Sequence, residues 1–227
     1  MNNSVLNATL FVGSSTFRNY EFEKLLGCCV DIYTEIISKN HLCENKEEKI
    51  RDCFFDYLNN DNYRNKVQTL ENYHFEKEPQ ENIGYLDIKV KTINPYRSTK
   101  AYYIIECKRL DSNNPKGTTG LNAEYIKNGI CRFVSEFYSS YYNCNVMFGF
   151  VVSSMNISAN VSNINAILDK DYINDKGSPA KAHVIQYLSE FTLVEDFHFA
   201  YISKHKTKSG KEIILYHLMF DFSKNIR

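Results

Sequence analysis

The chain has 227 residues, which predicts a single domain with a sizeable hydrophobic core. It carries 27 basic and 27 acidic side chains, so a strongly basic, histone-like binder of nucleic acid is excluded. No apolar run approaches the ~18 residues of a membrane span, and the first residues lack the basic start of a secretory signal. Seven cysteines without a C-x-x-C pair do not indicate a zinc site, and they favour a reducing, cytoplasmic location.

The N-terminal third of the chain has the apolar spacing of helices. Between Tyr20 and Ser38, apolar side chains recur every three or four residues, which predicts an amphipathic helix. A second helix is predicted over residues 45–58. Its expected N-cap is Asn45, with Glu48 three residues on as the partner in a capping box.

The rest of the chain alternates strands with helices. Residues 85–92 alternate with period two and residues 101–108 are β-branched and aromatic, so the turn-rich segment 94–98 predicts an antiparallel hairpin. The further elements that we predict are a helix over 122–142, a strand over 146–153, a helix over 161–173, and strands over 198–203 and 213–222. This order predicts an α/β fold with a mixed central β-sheet flanked by helices. We expect residues 1–44 to be a helical N-terminal extension of the domain 45–227, together one compact unit.

Two carboxylates interrupt the apolar strands of the predicted hairpin. On the strand 101–108, alternation places Glu106 and Lys108 on one face, and strand pairing brings Asp87 near Glu106. Two close carboxylates repel each other unless a cation lies between them. Oxygen ligands of this kind favour Mg²⁺ or Mn²⁺. The alternative is structural, with an ion pair between Glu106 and Lys108 and a turn capped by Asp87.

The segments GYLDIKV, which contains Asp87, and YYIIECKRL, which contains Glu106 and Lys108, resemble the core of the PD-(D/E)XK, or restriction-endonuclease-like, nuclease superfamily. The resemblance covers roughly residues 45–153, and Leu86 stands where the family often has proline. It implies a restriction-endonuclease-like core and a Mg²⁺- or Mn²⁺-dependent endonuclease that hydrolyses phosphodiester bonds. DNA is the expected substrate, and restriction or anti-phage defence is the expected context.

The resemblance also implies roles for individual residues. Asp87, Glu106 and the backbone carbonyl of Cys107 would ligate the metal ion, and Lys108 would act on the attacking water and on the charge of the phosphate. The family often takes one more acid from the first core helix. Glu47 shares a face with the apolar stripe of that helix and is the preferred candidate; the alternative is an electrostatic role at the helix start.

Three further residues are candidates for binding substrate. Arg132 is a candidate contact to a phosphate, and Tyr125 is a candidate for positioning Lys108 or the substrate. The alternative for both is a place at the core boundary with a wetted polar tip. Lys116 lies in the polar, glycine-bearing segment 112–120, which is either a mobile lid over the substrate or a connector.

The distribution of charge has two interpretations, a surface that binds a polyanion or a solvated charged face. Residues 85–132 contain 9 basic and 4 acidic side chains, against 9 and 14 in residues 1–84. His205 and His217 are expected to be satisfied structural histidines. We expect nucleic acid as the partner and no association with a membrane. The alternative partners are a second copy of the chain or a partner protein of a defence system. The rival function is an inactive nuclease-fold module that binds nucleic acid or a protein.

Overall fold

The computed structural model describes residues 13–81, 84–93, 101–138 and 142–227. The helices are α1 (Gly13–Ser38), α2 (Glu47–Asn59), α3 (Asp61–Arg64), α4 (Gln68–Glu71), α5 (Leu121–Tyr125), a π-helical turn (Ile126–Ile130), α6 (Cys131–Val134) and α7 (Ile157–Ile167). The strands are β1 (Tyr73–Lys77), β2 (Gln80–Glu81), β3 (Gly84–Tyr85), β4 (Ile88–Thr92), β5 (Tyr102–Leu110), β6 (Cys144–Val151), β7 (Tyr172–Ile173), β8 (Pro179–Ala180), β9 (Val184–Glu190), β10 (Ala200–Lys206) and β11 (Glu212–Asp221). Of these helices, none is both long and apolar enough to cross a bilayer.

Seven strands form one mixed sheet, which confirms the predicted α/β class. Their order is β1, β4, β5, β6, β11, β10, β9. β5, β6 and β11 run parallel in the middle of the sheet, and the other neighbours pair antiparallel. The last strand in the sequence, β11, therefore lies inside the sheet, between β6 and β10.

Helices cover both faces of the sheet. α1 and α2 pack on one face, where the ring of Phe54 lies 4.9 to 5.8 Å from the rings of Phe148, Phe150 and Phe220. The π-helical turn, α6 and α7 pack on the other face. Odd-numbered side chains of β5, such as Tyr103, join the first core and its even-numbered apolar side chains join the second, as the period of two requires. The helix α1 thus belongs to the same core as one face of the sheet.

The predicted hairpin is confirmed as an antiparallel pair of β4 and β5, with Ile88 opposite Ile105. Its predicted turn at 94–98 lies outside the described residues. The single helix predicted over 122–142 was wrong, because helical structure ends at Val134. Glu136 then takes a left-handed backbone conformation with φ of 56°, which a helix cannot continue through.

Two other sequence predictions were wrong in detail, and two strands of the main sheet were missed. Asn45 does not cap α2: the N-cap residue is Lys46, without a side-chain cap, and Asn45 Oδ1 accepts a hydrogen bond from Arg109 Nη1 at 2.8 Å. The helix predicted over 161–173 begins earlier, after Asn156, whose side chain accepts from Ala159 N. The strands β1 and β9 were not predicted, because their polar residues obscure the alternation.

Candidate active site

The predicted acids meet at an open edge of β5. Pairing between β4 and β5 begins at Ile88, so β5 beyond Ile105 is paired only with β6. Carboxylates take the place of the missing strand. Asp87 Oδ2 accepts a hydrogen bond from Cys107 N at 2.8 Å, and Glu47 Oε2 accepts one from Arg109 N at 3.2 Å.

Glu106 is the most buried acid of the site, with 1% of its surface exposed. Its Oε1 lies 3.0 Å from Lys108 Nζ and accepts from Arg132 Nη1 at 3.1 Å, while its Oε2 accepts from the Tyr138 hydroxyl at 2.7 Å. Burial disfavours the charged carboxylate and raises the pKa of Glu106 to about 7, although Lys108 and Arg132 oppose the rise. The group is therefore held near its ionisation point at neutral pH.

The ammonium of Lys108 lies inside a cage of oxygen atoms. Its Nζ is 2.9 Å from Glu47 Oε1, 2.7 Å from the Cys107 carbonyl oxygen and 3.0 Å from Glu106 Oε1. Burial acts to lower the pKa of Lys108, but the carboxylates of Glu106, Asp87 and Glu47 outweigh it and hold the pKa well above the usual value. Lys108 is therefore a permanent cation in this arrangement.

A second buried cation, Arg51 of α2, neutralises Asp87. Arg51 Nη1 lies 3.0 Å from Asp87 Oδ1 and 3.0 Å from Glu78 Oε1, and Arg51 Nη2 lies 3.0 Å from Asp52 Oδ1. Only 5% of the Arg51 side chain is exposed. Both oxygens of Asp87 are thus engaged, one by Arg51 and the other by the backbone of Cys107.

The π-helical turn brings the backbone close to the lysine. A Cβ added at Gly129 would lie 3.5 Å from Lys108 Cγ and would collide with the side chain of Met147, so glycine allows the close approach here. Wide helical turns of this type are frequent at functional sites. The turn precedes Arg132, which contacts Glu106 with one nitrogen and Asp175 Oδ2 with the other at 3.4 Å.

A basic groove begins beside Arg132. A small cleft lined by Arg132, Lys127 and Lys176 adjoins a groove of about 600 Å³, and Ser135 and Asn174 line both. The basic residues that line this larger groove are Lys181, His183, Lys206 and Lys208. The described lining of the larger groove contains no acidic residue, although Lys181 pairs with Asp171 at 3.1 Å. We call this larger groove the basic groove.

The structure brings most of the predicted site residues together. Asp87, Glu106, Lys108, Glu47 and Arg132 are linked by the contacts given above, as is the Cys107 carbonyl. In the described parts of the chain, the acids do not bring three carboxylate oxygens within 4.8 Å of one another. Lys108 lies between Glu47 and Glu106, and Arg51 holds Asp87.

Of the two other predicted substrate contacts, Tyr125 lies in the core and Lys116 lies in an exposed loop. Tyr125 has no exposed surface, and its hydroxyl bonds to His217 Nδ1 at 2.7 Å, so it faces the core and not a substrate. Lys116 is exposed in the loop between β5 and α5. The loop is fastened by side chains: Asn114 Nδ2 donates to Thr119 O and Asn122 Nδ2 donates to Pro115 O.

Sequence reasoning missed three site residues, which are Arg51, Tyr138 and Asp175. Arg51 follows Glu47 by four residues and so shares its helix face, a signal that was available in the sequence. Tyr138 and Asp175 lie in irregular segments after α6 and β7, where no periodicity indicates the direction of a side chain.

Comparison of the chain with protein-family models, curated proteins and solved structures finds no match.

Proposed function

We propose that this protein is a metal-dependent nuclease that hydrolyses phosphodiester bonds, with DNA as its substrate and Mg²⁺ or Mn²⁺ as its cofactor. The observation that carries the proposal is that Glu47, Glu106 and the Cys107 carbonyl all contact the ammonium of Lys108. Asp87 lies beside them, where it accepts a hydrogen bond from Cys107 N. A purely structural ion pair between Glu106 and Lys108 requires neither the extra acid from α2 nor the contact of Lys108 with the Cys107 carbonyl oxygen.

The chemistry of the donor set fits a hard divalent cation. All the groups that surround the Lys108 ammonium are oxygens, two from carboxylates and one from a carbonyl, which is the ligand type that Mg²⁺ and Mn²⁺ prefer. Glu106, the Cys107 carbonyl and Glu47 would hold the ion, and Asp87 would complete the set. When bound, such an ion polarises the phosphate and lowers the pKa of a coordinated water.

The chain's own cations have separate tasks in this proposal. In the described structure the Lys108 ammonium occupies these oxygens, so it would move to the adjoining phosphate when an ion takes its place. Its permanent charge would there stabilise the negative charge that grows on the phosphate. Arg132 lies between Glu106 and the groove, so its guanidinium is placed to bind a phosphate of the substrate. Arg51 holds Asp87 in position from α2.

The basic groove supports a polyanionic substrate. Lys206 and Lys208 line it without an ion pair among the described residues, and it leads to Arg132. Lysines of this kind bind phosphate groups and set affinity without reading sequence.

Incubation of the purified protein with plasmid tests the proposal. We expect cleavage with Mg²⁺ or Mn²⁺ and none with chelator, and we expect Glu106→Gln to abolish it while the protein remains folded by circular dichroism. Glu48→Gln, an exposed change on the same helix as Glu47, is the matched control and should cleave at the normal rate. Absence of cleavage by folded wild-type protein, on plasmid, single-stranded DNA and RNA alike, would contradict a nuclease.

One observation favours the rival function, an inactive module that binds nucleic acid or a partner protein. Glu106 and Asp87 are already neutralised by Lys108, Arg132 and Arg51. A site that is complete without metal can be purely structural. This rival predicts nucleic-acid binding through the basic groove with no hydrolysis in any metal.

The cysteines support a cytoplasmic setting for the proposed nuclease. All seven cysteines are free thiols, six of them buried, which fits a reducing, cytoplasmic compartment. Restriction or anti-phage defence is the context we propose, with a second copy of the chain or a defence-system protein as partner. Light scattering of the purified protein with and without duplex DNA distinguishes a homodimer from a monomer.

A further inference from the structure

Two thiols and an imidazole meet on the far side of α2 from the candidate active site. The ligand atoms of His41, Cys43 and Cys53 all lie within 4.8 Å of one another, and Cys43 Sγ is 3.0 Å from Cys53 Sγ. Cys43 is buried, Cys53 is partly buried and His41 is exposed. The group thus has a fixed inner part and an outer residue that is open to solvent.

Three parts of the fold position these ligands. Cys43 N donates to Asn225 O at 2.8 Å, Arg227 N donates to Cys43 O at 3.0 Å, and Asn225 Nδ2 donates to His41 O at 3.2 Å. Cys53 is fixed by its place in α2, where its Sγ donates to Lys49 O at 3.3 Å. The loop between α1 and α2, the helix α2 and the segment 225–227 therefore meet at the thiol pair.

We propose that His41, Cys43 and Cys53 bind one zinc ion, with water in the fourth position. Zinc takes thiolate and imidazole ligands in tetrahedral sites, with Zn–S distances of about 2.3 Å and Zn–N distances of about 2.0–2.1 Å. Three ligand atoms already this close need only small side-chain rotations to surround such an ion. Binding releases the thiol protons to solvent, and the ion neutralises two thiolates that would otherwise repel each other.

The sequence pointed away from this site because the two cysteines are ten positions apart and form no C-x-x-C pair. Their proximity depends on the fold, since the loop residue Cys43 is brought to the helix residue Cys53 by its bonds to the segment 225–227. The zinc proposal is independent of the proposed nuclease activity. Zinc here would fasten α2, which carries Glu47 and Arg51, to the loop that precedes it.

Titration of the reduced, full-length protein with Co²⁺, a spectroscopic substitute for zinc, tests the proposal. We expect one equivalent to give the near-ultraviolet absorption of cobalt–thiolate bonds and the intense visible bands of a tetrahedral ion, and we expect Zn²⁺ to displace it. Zn²⁺ should also raise the melting temperature of the wild type. Cys53→Ser should lose one thiolate's share of the absorption and at least tenfold in affinity, and His41→Ala should lower the affinity while keeping both thiolates.

Matched controls separate this site from other thiols, histidines and acids. Cys28→Ser in α1, His74→Ala on β1 and Glu106→Gln should all keep the full cobalt–thiolate spectrum. If Cys43→Ser fails to fold, Cys53→Ser and His41→Ala still decide. A spectrum without thiolate bands, or one that is unchanged in Cys53→Ser, would overturn the proposal. So would a Cys43–Cys53 disulfide, found by mass spectrometry in wild-type protein that binds no metal after purification without reductant.

Discussion

Lys108 has no freedom to act as a surface charge, because three oxygen atoms hold its ammonium. We expect Lys108→Ala to lower the rate of nucleic-acid cleavage by about 10²–10³ while the dissociation constant for nucleic acid changes little, since a charge that matters mainly in the transition state affects rate more than binding. Single-turnover cleavage and a binding titration measure the two effects. Lys91→Ala, which removes a β4 lysine paired with Glu76, is the control. Cleavage by Lys108→Ala at the wild-type rate would favour the structural ion pair.

A chain of buried hydrogen bonds fixes the protonation of two histidines. His205 Nδ1 faces the carbonyl oxygen of Ala182 at 2.8 Å and must donate to it, so His205 Nε2 accepts from the Ser203 hydroxyl at 2.7 Å. The Ser203 oxygen then accepts from His217 Nε2, and His217 Nδ1 accepts from the Tyr125 hydroxyl, both at 2.7 Å. This agrees with the structural role expected for both histidines.

The chain predicts opposite tautomers for the two rings. Nitrogen-15 NMR should find the proton of His205 on Nδ1 and that of His217 on Nε2, both rings neutral at pH 6, because burial lowers the pKa of His205 to about 4 and that of His217 well below its usual value. Ser203→Ala should lower the free energy of unfolding by about 1–3 kcal/mol, since it leaves buried groups unpaired. Ser162→Ala on exposed α7 surface should change it by less than about 0.5 kcal/mol. Identical tautomers in the two rings would contradict the chain.

At the scale of elements, the buried ion pair between Arg51 and Asp87 is one of the contacts that hold α2 against the sheet. Arg51→Met should lower the free energy of unfolding by about 3 kcal/mol, because it leaves Asp87 and its neighbours without their buried counter-charge. Urea denaturation measures the loss. Lys49→Met, an exposed change on the same helix, should stay within about 0.5 kcal/mol of wild type. Equal midpoints for the two variants would mean that Asp87 does not need Arg51.

The sequence predicts an element well where a single periodicity dominates it. Alternation in β5 correctly placed Glu106 and Lys108 on one face, and strand pairing correctly brought Asp87 to them. It failed where the backbone departs from a standard period: the π-helical turn and the left-handed Glu136 divide a continuous apolar pattern into short helices. Tyr138 reaches the site through tertiary packing, which no local pattern encodes, whereas the spacing of Arg51 from Glu47 was a signal that the sequence prediction did not use.

At the scale of the whole molecule, buried Glu106 and the buried histidines His205 and His217 have opposite effects on the dependence of stability on pH. The folded state keeps a proton on Glu106 up to about pH 7 whereas the unfolded state loses it near 4.5, so Glu106 makes stability fall as pH rises through this window. His205 titrates at about 4 in the folded state and 6.5 in the unfolded state, so it makes stability rise.

Removing the Glu106 carboxyl should leave the effect of the buried histidines on stability visible. Between pH 4.5 and 6.5, the free energy of unfolding of Glu106→Gln should increase by about 2–3 kcal/mol more than that of wild type, at about 1.4 kcal/mol per pKa unit. Urea denaturation at three pH values gives the slopes. Glu48→Gln, at an exposed position, should follow wild type. Parallel curves for wild type and Glu106→Gln would show that burial does not raise the pKa of Glu106.

The basic groove predicts a salt-dependent affinity for nucleic acid. Each lysine that contacts a phosphate contributes about 0.9 to the slope of log affinity against log salt concentration on duplex DNA. The double variant Lys206→Ala, Lys208→Ala should therefore weaken binding to all sequences alike and reduce this slope by about 2. Lys39→Ala, beyond the end of α1 on the opposite face of the sheet, should leave both unchanged. An unaltered slope in the double variant would place the nucleic acid elsewhere.

The position of β11 between β6 and β10 also determines when the sheet can assemble fully during synthesis. About 60 residues separate β6 from β11 along the chain, so at 5–20 residues per second β6 waits about 3–12 s for its partner. Every residue of β6 is buried in the finished sheet, and during this interval one of its edges is open to other chains. The growing chain is therefore most prone to aggregate while β6 waits for β11. β5, which carries Glu106 and Lys108, gains a fully supported neighbour only when β11 arrives.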